Sequence, residues 1–391
     1  MGQQNSQHER FMAMALATAG NPGLVEPNPQ VGAVIVKGGK VAATGRHEYF
    51  GGPHAEVNAL RKAGRRAEGA TLYVTLEPCC TFGKTPPCTD AIVAANVAHV
   101  VIGAPDPTQK RGVRMLRRAG IRVTTGVLKE KAVRLIAPFY KLHLRRRPYV
   151  IAKWAMSLDG KIATRTGDSR WISCAESRRR VHELRSVVDG IVVGIGTVLA
   201  DDPMLTPRLE DFGERPSAKR QALLAKARAA GKPPYHRIVL DSAARTPPDS
   251  RLVKTAREFK TLIAVTPDAP PRRCRRLEQC GCELVCCRAN GGRVDIEDLL
   301  GILGNRRLTN ILVEGGGAVL GAFFDAGAVD QVMVFIAPKI IGGDGAPGPL
   351  GGEGAEKIVD SMKMTDVTVS QSGVDVLIEG YTREAAEYLA L

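Results

Sequence analysis

The 391 residues contain no run of about 18 or more uncharged apolar residues, so no segment reads as a membrane-spanning helix. The stretch from Gln3 to Arg10 is wholly polar, where a secretory leader would carry its apolar core. The opening M-G-Q-Q-N-S fits the loose pattern for myristoylation at Gly2, but that pattern is short and common, and lipidation is not expected. Nine cysteines are too few for a disulfide scaffold in a chain of this length. With no secretory leader, they point to a reducing, cytoplasmic compartment. Acidic residues are in deficit, 40 against 55 Lys and Arg, which leaves a net charge of +15. Such a balance favours anionic partners: nucleic acid, or small phosphorylated substrates and dinucleotides. No G-x-G-x-x-G joins a strand to a helix, since the one match, Gly343 to Gly348, lies in a Gly/Pro-rich stretch, and no internal repeat is found. What remains, 44% hydrophobic and 24% charged, is globular and excludes collagen-like, mucin-like and disordered chains. The length fits two or three domains.

Apolar periodicity predicts an opening helix through Phe11, Met12, Ala15 and Leu16. Strands over Val31–Val36 and Val41–Thr44 flank a Gly-Gly turn. Helices and strands then alternate up to a helix from Lys129 to Leu144, which implies a layered α/β domain. Arg145-Arg146-Arg147-Pro148 marks the boundary, giving domains over 1–147 and 148–391. A second alternating series follows, with strands near 150–156, 190–193, 237–240, 261–265, 283–286, 311–313, 332–336 and 376–378. The basic, alanine-rich stretch between Leu209 and Pro234 reads as a surface insertion, and 342–354 as a loop.

H-A-E at His54, Ala55 and Glu56, E-P-C at Glu77, Pro78 and Cys79, and Cys88 after Pro86-Pro87 form the strongest constellation. Each falls where a strand or loop feeds a helix, and a helix N-terminus stabilises a thiolate. One histidine and two thiolates, His54, Cys79 and Cys88, leave the fourth tetrahedral position on a zinc ion for water, one zinc per chain. Glu56, two residues from a ligand, is placed to carry protons rather than to bind metal. This is the arrangement of the zinc deaminases. A lone histidine or cysteine here would be a structural residue; the combination in this order is what specifies zinc. Eight residues separate the cysteines instead of the usual two, and the insertion carries Lys84 and a glycine, which suits a phosphate on a small substrate.

N-P-Q-V-G-A-V-I-V at 28–36, G-G-P-H-A-E at 51–56, T-L-E-P-C-C-T-F-G-K-T-P-P-C at 75–88 and P-D-P at 105–107 resemble the bifunctional RibD-type enzymes of riboflavin biosynthesis. The resemblance implies a cytidine-deaminase-like first domain that deaminates a diaminopyrimidinone ribosylamine 5'-phosphate. It also implies that Asn28, His47 and Lys84 contact this substrate. Where the family usually has Ser-His after the first zinc cysteine, this chain has Cys80-Thr81, and Cys80 is expected to be a packing residue rather than a ligand.

Gly194-Ile195-Gly196 is an incomplete dinucleotide fingerprint and by itself marks only a turn after a strand. Gly315-Gly316-Gly317, at a strand end before an apolar helix, is a better phosphate cradle. K-W-A-M-S-L-D-G-K-I-A at 153–163, G-D-S-R-W-I-S at 167–173, G-T-V-L-A-D-D-P-M-L-T-P-R at 196–208 and V-E-G-G-G at 313–317 are similar to the reductase domain of the same family. That similarity implies a dihydrofolate-reductase-like fold and NADPH as cofactor. Ala155, Trp171, Thr197, Asp201, Ser242 and Gly316 would contact the cofactor. Ser169, Arg185, Leu205, Arg208 and Glu314 would contact the substrate, with Arg185 and Arg208 suited to its phosphate. Lys153 is a further candidate. Cys274, Cys280, Cys282, Cys286 and Cys287 are spaced too irregularly for a second metal site.

The rival reading, a deaminase of structured RNA, would explain the charge. It leaves the wide cysteine spacing and the second set of motifs without a purpose. The expected partners are therefore a phosphorylated pyrimidine and a second copy of the chain in a homo-oligomer, with neither nucleic acid nor membrane.

Overall fold

The computed structural model describes residues 2–20, 22–109, 111–384 and 387–390. Two compact units emerge: Met1–Arg146 with Ser217–Pro233 and Ala385–Leu391, and Arg147–Pro216 with Pro234–Glu384.

In the first unit, α1 (Gly2–Thr18) precedes a hairpin of β1 (Gly32–Lys37) and β2 (Lys40–Arg46). Then come α2 (Ala55–Ala63), β3 (Thr71–Leu76), α3 (Cys88–Ala94), β4 (His99–Ala104), α4 (Gly112–Arg118), β5 (Arg122–Thr125) and α5 (Lys129–Arg145). The sheet runs β2-β1-β3-β4-β5, with β3, β4 and β5 parallel and β1 antiparallel to both neighbours. Strand periodicity assigns its two faces. Val34, Val36, Tyr73 and Val101 meet Phe11, Met12 and Ala15 of α1 in one buried cluster. Ala33, Ile35, Leu72, Val74 and Val100, also buried, belong to the opposite face, where α2 packs. The helices approach closely because β1 and β2 present glycine: a Cβ at Gly32 would lie 2.0 Å from the Ala15 carbonyl oxygen, and one at Gly45 2.3 Å from that of Ala55. The result is the helix–sheet–helix sandwich expected of a cytidine-deaminase-like domain.

The second unit is built on nine strands. Its elements are β6 (Tyr149–Ser157), α6 (Ala175–Arg185), β7 (Gly190–Gly194) and α7 (Ile195–Asp201). Helix α8 (Ala218–Ala229) follows in sequence but belongs to the first unit. The second unit then continues with β8 (His236–Leu240), α9 (Arg251–Lys254), β9 (Thr261–Val265), α10 (Pro271–Gln279) and β10 (Glu283–Cys286). After a two-residue-per-strand hairpin of β11 (Ala289–Asn290) and β12 (Arg293–Val294) come α11 (Ile296–Asn305), β13 (Asn310–Val313), α12 (Gly317–Asp325) and β14 (Gln331–Ala337). The unit closes with β15 (Thr365–Ser372) and β16 (Asp375–Tyr381), and α13 (Glu387–Ala390) returns to pack on α5 of the first unit.

Strand order is β10-β9-β8-β7-β13-β6-β14-β16-β15, parallel from β10 to β14 and antiparallel at the last two. Doubly covered parallel strands read as continuous apolar runs, and Ile191–Val193, Leu262–Ala264 and Ile311–Val313 are all fully buried. The chain leaves β6 for one side of the sheet, refills the gap between β6 and β7 with β13, and exits to the other side through β14. Such a reversal opens a crevice at the carboxyl ends of β6, β7 and β13.

Two expectations change here, and one unexpected strand is added. The stretch 209–234 is not a simple surface insertion: Ser217 caps α8 by accepting from the Arg220 amide at 3.2 Å, and the helix buries Leu223 and Ala227 in the first unit. Gly194-Ile195-Gly196 is no turn, because β7 runs straight into α7 there. The strand at 365–372 escapes sequence reading because almost every residue of this edge strand is exposed.

Candidate functional site

His54 sits at the N-cap of α2, Cys79 follows β3, and Cys88 is the first residue of α3. A parallel strand end and two helix starts thus converge. His54 Nδ1 lies 3.2 Å from Cys88 Sγ and 3.5 Å from Cys79 Sγ, and the three ligand atoms are within 4.8 Å of one another. Zinc bond lengths of about 2.0 and 2.3 Å with tetrahedral angles put such ligand atoms about 3.6 Å apart, close to the two distances from His54. The Cys88 amide donates to Cys79 Sγ at 3.3 Å. The hydrogen bond from the Cys88 thiol, then His54 and that amide, hold the Cys79 thiol down to about 4, while the same pairing and burial push the Cys88 thiol up. Among the described residues no other His, Cys, Asp and Glu cluster of this kind occurs, and Cys274 to Cys287 form none.

Glu56, on the first turn of α2, is buried, and desolvation pushes its carboxyl above the ordinary range. Its carboxyl is hydrogen-bonded with the Cys88 thiol. Thr85, which sequence reasoning passed over, places its hydroxyl 3.4 Å from His54 Nε2 and so fixes the ring with Nδ1 inward. Its signal was its place in the same loop as Lys84. Cys80 faces away from the cluster: its amide bonds Gln109 Oε1 at 3.1 Å and its sulfur lies 3.7 Å from the same oxygen.

Around this cluster stand the residues expected to meet substrate. Asn28 Nδ2 lies 3.2 Å from His47 Nε2, and His47 Nδ1 lies 3.0 Å from the Pro53 carbonyl. Burial lowers His47 to about 4, so the ring is neutral at physiological pH. Its ring stands edge-on to that of His54 at 5.4 Å. Lys84 is exposed, its ammonium 4.3 Å from the centre of the Phe50 ring.

The crevice of the second unit is a cleft of about 810 Å³. Ala155, Trp171, Thr197, Asp201 and Gly316 line it, as do Ser169, Arg185, Arg208 and Glu314. Ser242 and Leu205 are not among its lining residues. Ser242 Oγ accepts from the Val294 amide, and Leu205 is buried with its carbonyl bonded to Tyr235. Arg185 grips Glu314 through two bonds of 2.8 and 2.7 Å. These guanidinium bonds and the nearby Lys153 ammonium at 3.9 Å overcome burial and hold the Glu314 carboxyl down to about 2. The guanidinium expected to meet a phosphate is therefore already paired. Arg208 lies on the cleft with Nε 3.0 Å from Asp211, and its amide donates to His182 Nδ1. Arg178 stacks 4.5 Å from the Trp171 ring, a contact not foreseen from sequence. Both Gly194 and Gly196 face the cleft.

Comparison with known proteins places both units. Residues 148–378 match the family described as RibD C-terminal domain, and residues 5–104 match the cytidine and deoxycytidylate deaminase zinc-binding region. The riboflavin biosynthesis protein RibD of Actinobacillus pleuropneumoniae is 41% identical over 370 residues, covering 94% of this chain and 93% of that protein. The Escherichia coli protein of the same name is 39% identical over 379 residues, covering 95% and 98%. Among solved structures, Acinetobacter baumannii RibD superposes with a TM-score of 0.80 at 31% identity, covering 96% of this chain and 99% of that one. A deaminase and 5-amino-6-(5-phosphoribosylamino)uracil reductase of Thermotoga maritima gives 0.78 at 34%, covering 97% and 99%.

Proposed function

Because the chain belongs to the RibD family of bifunctional deaminase–reductases of riboflavin biosynthesis, we propose that its chemistry is carried by the two constellations described above. His54, Cys79 and Cys88 hold zinc, and Glu56 carries the protons of deamination. The observation that carries this reading is the set of three ligand atoms within 4.8 Å, with a buried, raised carboxyl beside them. Zinc, when bound, supplies a water acidic enough to lose a proton near neutral pH. Glu56 takes that proton and returns it to the departing ammonia, and a raised carboxyl suits both transfers. Neutral His47 and Asn28 offer hydrogen-bonding groups to the pyrimidine ring, and Lys84 offers charge to the 5'-phosphate.

In the second unit, NADPH supplies a hydride when bound. The first amides of α12, after Gly315-Gly316-Gly317, receive a phosphate of the cofactor, with Ala155, Trp171, Thr197 and Asp201 along the same cleft. Ser169 and Arg208 face the deaminated ribosylamine phosphate. The Arg185–Glu314 pair acts as a rigid wall whose carboxylate accepts from substrate hydroxyls. Ser242 and Leu205 act from behind the lining. The functional boundary falls at 147/148, which the end of α5 and the start of the family match at 148 support.

Small anionic ligands account for the basic balance without nucleic acid. The nine cysteines, all free, suit the cytoplasm. No helix among the described residues is long and apolar enough to cross a membrane. A homo-oligomer is supported by the open edge strand β15 and its exposed Val367 and Val369. Metal analysis tests the ligand set: Cys79→Ser and Cys88→Ser lose zinc and Cys80→Ser keeps it, whereas loss in the Cys80 variant reverses the assignment.

A further inference from the structure

Helix α8 lies in sequence between two strands of the reductase, yet it rests on three loops of the first unit, each bearing a residue assigned above to the deaminase substrate. Near its N-terminal end, Arg220 donates to the Pro22 carbonyl at 3.1 Å and faces the buried carboxylate of Glu26, two residues before Asn28. In its last turn, Lys226 lies 5.8 Å from the Tyr49 ring, two residues after His47. At its C-terminus, Ala230 comes so close to Gly51 that a Cβ there would stand 2.6 Å from that of Ala230. Gly51 holds a φ of +83°, so two constraints exclude side chains at this contact. The Ala230 carbonyl accepts from the Lys84 ammonium. Carbonyls at a helix end carry partial negative charge and lack partners within the helix, so they hold a cation. Lys84, exposed and on a glycine-bearing loop, would otherwise be free to swing into water.

We propose that α8 is a positioning element of the deaminase: its C-terminal carbonyl and the Phe50 ring hold the Lys84 ammonium at the site rim, ready for the 5'-phosphate. This rests on the reading of Lys84 as the phosphate contact. The reductase segment in which α8 is inserted then supplies the deaminase with part of its substrate specificity.

The test loosens α8 without changing charge. Leu223→Ala with Ala227→Gly removes its buried stripe, and a second variant replaces 217–233 with a glycine–serine linker that keeps the segment's five positive charges as lysines. Deamination is measured on the ribosylamine 5'-phosphate and on the phosphate-free riboside. Reduction is measured on the deaminated phosphate, and zinc content reports that the first unit is folded. The expected result, in either zinc-retaining variant, is a KM for the phosphorylated substrate raised about fivefold or more, with kcat within about twofold. The riboside's kcat/KM and the reductase should stay at parental values. Unchanged KM in both variants, or equal losses in both activities, overturns the assignment. Lys84→Ala run alongside separates the two levels. A normal KM in Lys84→Ala removes the phosphate reading and the role of α8 with it. A raised KM there, with normal KM in the α8 variants, removes the role of α8 alone.

Discussion

Gly316→Asp tests the proposed cofactor phosphate site separately from the zinc site. Gly316 is the N-cap of α12, with φ −67° and ψ 176°, ordinary extended backbone that any residue adopts. A Cβ there meets nothing within 4 Å, since the position opens onto the cleft. Aspartate is also a favoured N-cap, so the substitution is expected to leave folding intact or improve it by a few tenths of a kcal/mol. The introduced carboxylate reaches the first amides of α12 and occupies the donors that an anion would use. It also sets a like charge against the incoming phosphate. At about 6 Å and an effective dielectric of about 40, that repulsion costs about 1.4 kcal/mol. A weakening of NADPH binding by at least about tenfold follows. Fluorescence titration of NADPH gives the affinity, circular dichroism and thermal melting report the fold, and deaminase turnover is expected to stay at the parental level. A folded variant that binds NADPH as tightly as the parent would show that the glycine run is only a turn.

Two other perturbations follow from the same geometry. Glu314→Gln leaves the Arg185 guanidinium buried without its counter-charge and is expected to destabilise the second unit by about 3 to 5 kcal/mol, read as a lowered denaturant midpoint. In the parent, the Glu314 carboxyl sits at about 2, below its unfolded value near 4.3, so the pair's stabilisation is complete at neutral pH and lost as pH falls from about 5 toward 2. A parent and a Glu314→Gln variant with equal stability at pH 7 would contradict the pairing. Thr85→Val removes the hydroxyl that orients His54 and is expected to lower zinc affinity about 10- to 100-fold in chelator competition, while Thr85→Ser restores it.

Much of the first site was legible because its parts are local. H-A-E and P-P-C each carry a helix start and E-P-C follows a strand end, and the sheet only has to bring the three together. The place of Gly315-Gly316-Gly317 between β13 and α12 was legible for the same reason. What the sequence hid depends on distant partners. The pairing of Arg185 was hidden because nothing near it in sequence announces Glu314, 129 residues away. Leu205 and Ser242 were placed on the site by resemblance, whereas the structure sets them off the cleft lining. Helix α8 was missed as a helix because its basic residues obscure a two-residue buried stripe, Leu223 and Ala227. Its docking partners, Pro22, Tyr49 and Lys84, lie far back in the chain.

The central claim is that one chain carries two independent chemistries, the first driven by a zinc cluster with Glu56 as its proton carrier. Glu56→Gln tests it most directly, with three readings on one preparation: zinc per chain, deamination of the diaminopyrimidinone phosphate, and NADPH oxidation on the deaminated product. One zinc should be retained, deamination should fall about 100- to 10,000-fold, and reduction should stay at the parental rate. Deamination at the normal rate by the zinc-loaded variant would contradict it.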